Sequence, residues 1–262
     1  MNIKILVATH KKYYMPKNQI FLPLHVGREG KQDLGFIGDN TGDNISNKNN
    51  NYCELTGLYW AWKNLSCDYI GLAHYRRYFN FRLPNNKYWS LSKEASQENV
   101  DKYTYVNETK IKEYLDNFDI ILPRKLDLGV PMVTQYKNAH IAEDWEQLKK
   151  VALALYPEYK EMWNICENEQ SIYVCNMFIT KKEIFEEYMK WLFSILFTLE
   201  STIIISNDSY QRRVFGFMSE RLFNIFIKYR GLKVKELPII FFEDHISIKN
   251  KIRNKIREYK NS

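Results

Sequence analysis

Short apolar runs, closed by polar or turn residues, alternate along the chain with segments in which apolar residues recur at helical spacing. The short runs predict buried strands at residues 3–8, 69–73, 118–122, 172–180 and 234–241. The spaced segments predict helices at residues 51–64, 111–117, 141–155, 183–200 and 210–229. This alternation is typical of an α/β fold, so we predict a central, mostly parallel sheet flanked by helices, with a helical C-terminal region.

Capping and turn residues set the boundaries of several predicted elements. Asn51 is placed to cap the first helix, with Glu54 three residues later as its capping-box partner. Gly231 is expected to end the last helix, because glycine commonly follows the final helical turn. Residues 27–51 are rich in Gly, Asn and Asp and predict a long loop of the kind that is functional or disordered. Residues 80–108 are polar, and we expect them to be irregular.

No internal repeat or linker is evident, so we predict one domain at residues 1–245, followed by a basic tail at residues 246–262. One helical face of the tail carries the apolar residues Ile248, Ile252, Ile256 and Tyr259. Between them lie the basic residues Lys249, Lys251, Arg253, Lys255 and Arg257. The pattern is typical of a helix on an anionic membrane, but it equally fits a solvated helix packed on the domain, and both interpretations stay open.

Composition narrows the class of protein without identifying it. Of the 262 residues, 45% are hydrophobic and 26% charged, which is ordinary for a globular protein, and the net charge of +7 favours anionic partners. The 19 Tyr, 15 Phe and 6 Trp supply aromatic faces useful against sugars and nucleobases, although core packing accounts for most of them. The 4 cysteines lack the paired spacing of a zinc site, and no apolar run is long enough to cross a membrane. The first residues of the sequence contain no long apolar segment ahead of a cleavage site, so we expect no signal peptide. We therefore expect a reduced, cytoplasmic protein, peripheral at the inner face of the cell membrane if the tail binds lipid.

The strand predicted at residues 69–73 ends at His74, Arg76 and Arg77. In open α/β sheets, ligands bind beyond the carboxyl ends of the strands. Arginine grips phosphate oxygens with a planar pair of donors. Three potential cations at such a strand end therefore predict a diphosphate-binding site, with a solvated basic loop as the alternative interpretation.

Four segments together resemble a family of bacterial capsule and exopolysaccharide biosynthesis proteins, long called a domain of unknown function and now associated with galactofuranosyl transfer. They occur in the family's order and span nearly the whole chain. The segments are NYCELTGLYWAWKN at residues 51–64, YIGLAHYRRYF at 69–79, NMFI at 176–179 and QRRVFGFMSERL at 211–222. The departures from the family pattern lie between these segments, around residues 136–144.

The resemblance implies a GT-A-like glycosyltransferase that uses UDP-galactofuranose and a lipid-linked or oligosaccharide acceptor in capsular polysaccharide, exopolysaccharide or O-antigen synthesis. With an α-linked donor and a β-linked product, transfer would invert the anomeric centre; a retaining enzyme of the same fold class differs only in product stereochemistry. Many GT-A enzymes hold a divalent metal with Asp-x-Asp, a motif that occurs nowhere in this sequence. We expect no metal cofactor, because His74, Arg76 and Arg77 would neutralise the leaving diphosphate instead.

An inverting transfer also needs a general base within hydrogen-bond reach of the acceptor hydroxyl. Glu143 and Asp144 open a predicted helix, and their string resembles the acidic pair used as base in other inverting GT-A enzymes. Asp208 and Glu220 are further candidates; a helix cap is the better interpretation of Asp208, and an intrahelical ion pair is the alternative for Glu220. We favour Asp144, then Glu220, with His140 placed to orient Asp144 or to contact the acceptor.

The remaining donor-binding candidates follow from their positions in the predicted elements. Residues at the end of the first strand and in the long loop would receive the uridine; they are Thr9, His10, Lys11 and Asn44. Asn176 follows an apolar run and would face the sugar. Arg212 and Arg213 add positive charge from the last helix, and we expect one of them to reach the phosphates.

Two other classes of function compete with the transferase. Positive charge and aromatic residues fit a nucleic-acid-binding protein in a general way. No aromatic-interleaved basic stripe or known binding motif occurs, so we expect no nucleic-acid partner. A non-catalytic sugar-nucleotide or glycan-binding subunit of a polysaccharide assembly complex would keep the same fold and donor site, so this interpretation stays open.

Overall fold

A computed structural model describes residues 2–85 and 87–246. The strands are β1 Ile3–Thr9, β2 Phe21–His25, β3 Ile37–Gly38, β4 Tyr69–His74, β5 Arg77–Phe79, β6 Ser90–Glu94, β7 Ile120–Pro123, β8 Leu126–Asp127, β9 Ser171–Ile172, β10 Phe178–Lys181, β11 Val234–Leu237 and β12 Ile239–Glu243. The α-helices are α1 Asn49–Tyr52, α2 Leu55–Asn64, α3 Gln97–Thr104, α4 Glu108–Asn117, α5 Met132–Ala139, α6 Ala142–Leu155, α7 Lys160–Glu167, α8 Lys182–Glu200 and α9 Val214–Tyr229.

The central sheet carries its strands in the order β11-β7-β10-β4-β1-β2-β3. β1 lies parallel to β2 and β4, and β7 lies parallel to β11, whereas β10 runs antiparallel to its neighbours β4 and β7. β1 and β4 are buried on both faces along most of their length, which explains the apolar runs at residues 5–8 and 69–73. The mixed α/β fold with a mostly parallel central sheet flanked by helices confirms the prediction.

Alternate residues of β1 enter two hydrophobic cores, one on each face of the sheet. Leu6 and Ala8 belong to the larger core, which contains side chains of α2 and of α5 to α9. Ile5 and Val7 belong to the second core, which contains side chains of β5, β6, β12, α3 and α4. Because side chains alternate between the faces of a strand, β1 joins the two layers and fixes the position of its own carboxyl end.

Residues 80–108 contain β6 and α3, so the prediction of an irregular segment is wrong. β6 pairs in parallel with β12, which also pairs antiparallel with β5. Leu91 is the buried residue of β6, and α3 buries Val100, Tyr103 and Thr104. A short strand and a short helix with so few buried positions leave little periodicity in the sequence.

The helix predicted at residues 51–64 is divided into α1 and α2 by Cys53, whose φ of 52° lies in the left-handed region. Asn51 lies inside α1, and its Nδ2 donates a hydrogen bond of 2.9 Å to the carbonyl of Arg212. Glu54 precedes α2 and makes no capping hydrogen bond. The prediction of a capping box at Asn51 and Glu54 is therefore wrong, because tertiary contacts bend the chain between them.

Two other predicted elements are also interrupted by the backbone. The strand predicted ahead of α8 is broken by left-handed conformations at Cys175 (φ 73°) and Asn176 (φ 52°), which separate β9 from β10. Pro238, which lacks a backbone N–H, divides the last predicted strand into β11 and β12.

Gly231 follows α9 with a φ of 59°, where the sequence placed the helix end. The sequence pattern did not indicate β2, α5 or α7.

The basic tail predicted at residues 246–262 falls, apart from Ile246, outside the described ranges. Its helical pattern and its contact with a membrane stay predictions, as does the domain boundary at residue 245. No helix within residues 2–85 and 87–246 is long and apolar enough to span a lipid bilayer.

Candidate active site

A cavity of about 780 Å³ opens where β1 and β4 end at the carboxyl edge of the sheet. Its walls come from the ends of these strands, from the segment spanning α1 and α2, and from the first turns of α9. The strand ends contribute Ala8, His10, His74, Tyr75, Arg76 and Arg77. The structure thus places the basic end of β4 in a concave site of the size that binds small molecules, at the edge where α/β sheets bind ligands.

Basic side chains dominate the wall of the cavity. They are His10, Lys31, His74, Arg76, Arg77, Arg212 and Arg213. The guanidinium carbon of Arg77 lies 5.2 Å from the ring centre of Phe241. Among the described residues, we find no hydrogen-bond acceptor for the guanidinium groups of Arg77 and Arg212, so both retain free donors for an anion.

Arg76 and Arg213 are held more firmly by the fold. Arg76 donates from Nε to the carbonyl of Phe242 at 3.0 Å, and its Nη2 lies 3.4 Å from Asp244 Oδ2. Arg213 donates from Nε to Cys53 Sγ at 3.3 Å. These contacts orient two of the positive charges before any ligand binds, and each guanidinium group keeps further donors.

His74 contributes a neutral imidazole rather than a third cation. Its Nε2 lies 2.7 Å from the carbonyl of Cys175, which can only accept, so Nε2 carries the proton and Nδ1 is an acceptor. Burial is the main cause that lowers the pKa of His74; it outweighs the nearby Glu54 carboxylate, which raises that pKa, and Arg77 adds to the lowering. Burial, followed by Lys11, likewise lowers the pKa of His10. At neutral pH the positive charge of the cavity therefore resides on lysine and arginine.

Two carboxylates, Glu54 and Glu220, face this basic cavity. Glu220 accepts the backbone N–H of Cys175 on Oε1 at 2.8 Å and Arg221 Nη1 on Oε2 at 3.0 Å. Burial raises the pKa of Glu220, while Arg221 opposes that effect. Both oxygens of Glu220 are thus occupied by the protein itself.

Glu54 was assigned from the sequence to a helix cap, and the structure places it in the cavity instead. Its Oε1 accepts Asn176 Nδ2 at 2.8 Å. The sequence signal that could have identified it is its position within residues 51–64, the first of the four family-like segments. The capping-box pattern offered a local explanation for the same residue and obscured this role.

Asn176 lies beneath the cavity rather than in its wall. Its side chain is buried, and Nδ2 contacts Glu54 as well as Ser219 Oγ at 2.9 Å. The left-handed backbone at residue 176 turns the amide toward these partners. Asn176 therefore supports Glu54, while the predicted contact with the sugar would require a rearrangement.

The predicted acidic pair lies outside the residues that line the cavity. Asp144 is buried in the first turn of α6, where burial and then Glu143 raise its pKa to about 6. His140 stacks on Phe217, with ring centres 4.1 Å apart, so it lies behind a residue of the cavity wall. Burial, followed by Arg221, lowers the pKa of His140 to about 4.

Three predicted uridine contacts also lie outside the cavity wall. The hydroxyl of Thr9 is buried and donates to the carbonyl of Lys11 at 2.6 Å. The Lys11 ammonium lies over the rings of Tyr13 and Tyr75, 5.7 and 5.5 Å from their centres. Asn44 closes a local turn, since its Oδ1 accepts the N–H of Ser46.

A buried carboxylate organises the long loop on one side of the cavity. Asp39 is fully buried and accepts four hydrogen bonds of 2.5 to 3.0 Å. Its donors are the backbone N–H groups of Gly27 and Arg28 and the hydroxyls of Ser46 and Thr56. The network ties the loop to α2, and nothing in the local sequence pattern indicated it.

Within the described ranges, no group of three or more His, Cys, Asp and Glu side chains is arranged to hold a metal ion. The donors that crowd the cavity are guanidinium groups, which bind anions and not metals. Metal-independent transfer stays a prediction that rests on this positive charge.

A family model described as a domain of unknown function, DUF4422, matches residues 4–231. The chain is similar to the solved apo structure of the WbbM bifunctional glycosyltransferase, with 35% sequence identity and a TM-score of 0.87. That similarity covers 93% of this chain but 46% of the other, so this chain spans about half the length of its relative. No curated protein sequence matches. The match over residues 4–231 shows that the chain belongs to the DUF4422 family.

Proposed function

We propose that the chain is a glycosyltransferase that moves a sugar from a nucleoside-diphosphate donor to a hydroxyl group of a glycan acceptor. The observation that carries this proposal is the basic cavity at the carboxyl ends of β1 and β4. It occurs in a fold similar to part of a bifunctional glycosyltransferase. An anionic leaving group and a sugar together fit a site that combines arginines, a neutral imidazole and two carboxylates.

The arginines would neutralise the charge that develops on the diphosphate as the glycosidic bond breaks. Arg77 and Arg212 offer free planar donors, and Arg76 and Arg213 are already oriented by the fold. Fixed donors aimed at developing charge need no reorganisation during the reaction. We propose on this basis that transfer proceeds without a divalent metal.

His74 has a different part in the proposal from the one its sequence position indicated. A neutral ring whose Nδ1 accepts hydrogen bonds suits a hydroxyl donor rather than a phosphate oxygen. We therefore assign His74 to a hydroxyl of the donor sugar or its ribose, and leave the diphosphate to the arginines.

The identity of the sugar rests on the family resemblance. It supports UDP-galactofuranose as the donor, inversion at the anomeric carbon, and a lipid-linked or oligosaccharide acceptor in capsular polysaccharide, exopolysaccharide or O-antigen synthesis. The basic tail would hold the enzyme at the inner face of the membrane, where a lipid-linked acceptor lies. These finer assignments are proposals that donor and acceptor assays decide.

Saturation-transfer NMR with UDP, UDP-galactopyranose and UDP-galactofuranose, each with and without EDTA, tests the donor site. We expect UDP-galactofuranose to bind and EDTA to have no effect. Activity that EDTA abolishes and added metal restores would overturn the metal-free proposal. Absence of binding by all UDP species would overturn the donor assignment, and salt-sensitive binding of any polynucleotide would favour the nucleic-acid alternative.

The second candidate is a non-catalytic sugar-nucleotide or glycan-binding subunit of a polysaccharide assembly complex. Such a subunit would keep the same fold and the same basic cavity, so both of these features fit it as well. Binding of a UDP-sugar without release of UDP in the presence of acceptor would support this candidate over the transferase.

A further inference from the structure

We propose that Glu54 is the general base that accepts the proton of the acceptor hydroxyl, an inference that rests on the proposed transferase function. Neither the capping pattern around Glu54 nor the acidic pair at residues 143–144 indicated this role. It follows from where the chain places each carboxylate and from which carboxylate oxygens the protein leaves free.

The broken helix brings Glu54 to the cavity. A continuous helix through residues 51–64 would leave Glu54 in a capping turn, but the left-handed φ of 52° at Cys53 ends α1 and lets α2 start afresh. Glu54 then lines the same cavity as Arg77, Arg212 and His74. A base for sugar transfer must share the cavity with the leaving group, and Glu54 meets that requirement.

The hydrogen-bond state of the candidate carboxylates separates them. Glu220 has both oxygens engaged, one by the N–H of Cys175 and one by Arg221. Asp144 lies outside the cavity wall. Glu54 has Oε1 bound to Asn176, while no donor among the described residues reaches Oε2. Of these three, Glu54 therefore has the lone pairs that a hydroxyl proton requires.

Asn176 is the positioning residue for this base. Its Nδ2 donates to Glu54 Oε1 at 2.8 Å and lies 2.9 Å from Ser219 Oγ, which itself donates to the carbonyl of Gly216 at 2.8 Å. Gly216 and Ser219 belong to α9, so Asn176 links Glu54 to a helix that also carries cavity residues. A buried amide that holds one carboxylate oxygen leaves the other in a defined direction.

The proposed step balances in atoms and charge. The acceptor hydroxyl oxygen attacks the anomeric carbon, and the bond from that carbon to the diphosphate oxygen breaks. The electron pair of the broken bond leaves with UDP, whose charge the arginines neutralise. The hydroxyl proton moves to Glu54 Oε2, and it is lost to solvent after the product departs.

Glu54→Gln in the full chain is the primary test. Glutamine keeps an oxygen for Asn176 but removes the basic group and one negative charge from the cavity. We expect the release of UDP from UDP-galactofuranose, with n-octyl β-galactopyranoside as acceptor, to fall about 10² to 10⁴-fold. We expect UDP to bind as tightly or more tightly, because the cavity loses an anion that opposes the diphosphate. Glu98→Gln, on the exposed surface of α3, is the matched control and should change neither quantity.

Chemical rescue distinguishes a base from a structural residue. Glu54→Ala should lose transfer, and added formate should restore part of it, because a small carboxylate can occupy the vacated space. Formate should not restore Glu220→Ala, whose carboxylate holds Cys175 and Arg221. The rescue experiment still tests the assignment if Glu54→Gln folds poorly, because it compares Glu54→Ala with and without formate.

Several outcomes would overturn the assignment. Transfer by Glu54→Gln within about threefold of the unchanged chain would exclude Glu54 as base while leaving the transferase function standing. Glu54 would also be excluded as the base if Glu220→Gln binds UDP normally but loses all transfer, while Glu54→Gln still transfers the sugar. If the unchanged chain binds no UDP and releases none from any donor, the proposed function fails, and the role of Glu54 fails with it.

Discussion

Removal of Arg77 should weaken donor binding with little effect on folding. Its guanidinium group makes no hydrogen bond to the described protein, and its contact with the ring of Phe241, at 5.2 Å, contributes about 0.5–1 kcal/mol to stability. A hydrogen bond to a charged group contributes about 1.5–3 kcal/mol. Arg77→Ala should therefore weaken UDP binding by about 10- to 150-fold. Arg77→Lys should recover part of that loss, because it keeps the charge but not the planar fork.

Isothermal titration with UDP at two salt concentrations, together with urea unfolding, measures both effects. Arg230→Ala removes a surface guanidinium paired with Glu187 at 3.1 Å and is the matched control for lost positive charge. Arg76→Ala should weaken UDP binding and also lower the free energy of unfolding, because Arg76 is bonded to the carbonyl of Phe242. UDP affinity within twofold of the unchanged chain in Arg77→Ala would refute the assignment of this cavity to the diphosphate.

The remaining predictions concern the loop, an acidic residue and the tail. Asp39→Asn replaces one of the two oxygens that accept four hydrogen bonds with an amide that donates. The free energy of unfolding, measured in urea, should therefore fall by about 2–4 kcal/mol. Burial and then Glu143 raise the pKa of Asp144 from 3.8 to about 6, so the folded state binds the proton of this carboxyl group more tightly than the unfolded chain does. The resulting gain in the free energy of unfolding is fully present below about pH 4 and is lost as the pH rises through about 6. Asp144→Asn should accordingly raise the free energy of unfolding at pH 8 by up to about 3 kcal/mol and leave it unchanged at pH 4, measured by urea unfolding at both pH values; an equal change at both would contradict this account. Deletion of residues 251–262 should weaken sedimentation with anionic liposomes, and unchanged sedimentation would exclude the tail as the membrane contact.

Local patterns predicted well those elements that bury a regular set of positions. β1 and β4 are apolar on both faces, and α8 buries a continuous stripe, so each is visible as a run or a period in the sequence. β6 and α3 were missed because β12, far away in the sequence, supplies the strand that β6 pairs with. The interruption at Cys53 was missed because a left-handed residue in the middle of a helical pattern has no local signature when it is not glycine.

The candidate site shows the same difference between features that a local pattern indicates and features that distant contacts decide. The sequence by itself determined that Arg76 and Arg77 follow β4 and that Arg212 and Arg213 immediately precede the last helix, because charge at a strand or helix end is a local property. Only the tertiary structure decided that Glu54 shares their cavity, that Asp144 does not, and that His74 is neutral. Burial, hydrogen-bond partners and the pKa of a side chain depend on groups 100 or more residues distant, as the bond from His74 to Cys175 shows, and a local pattern contains none of them.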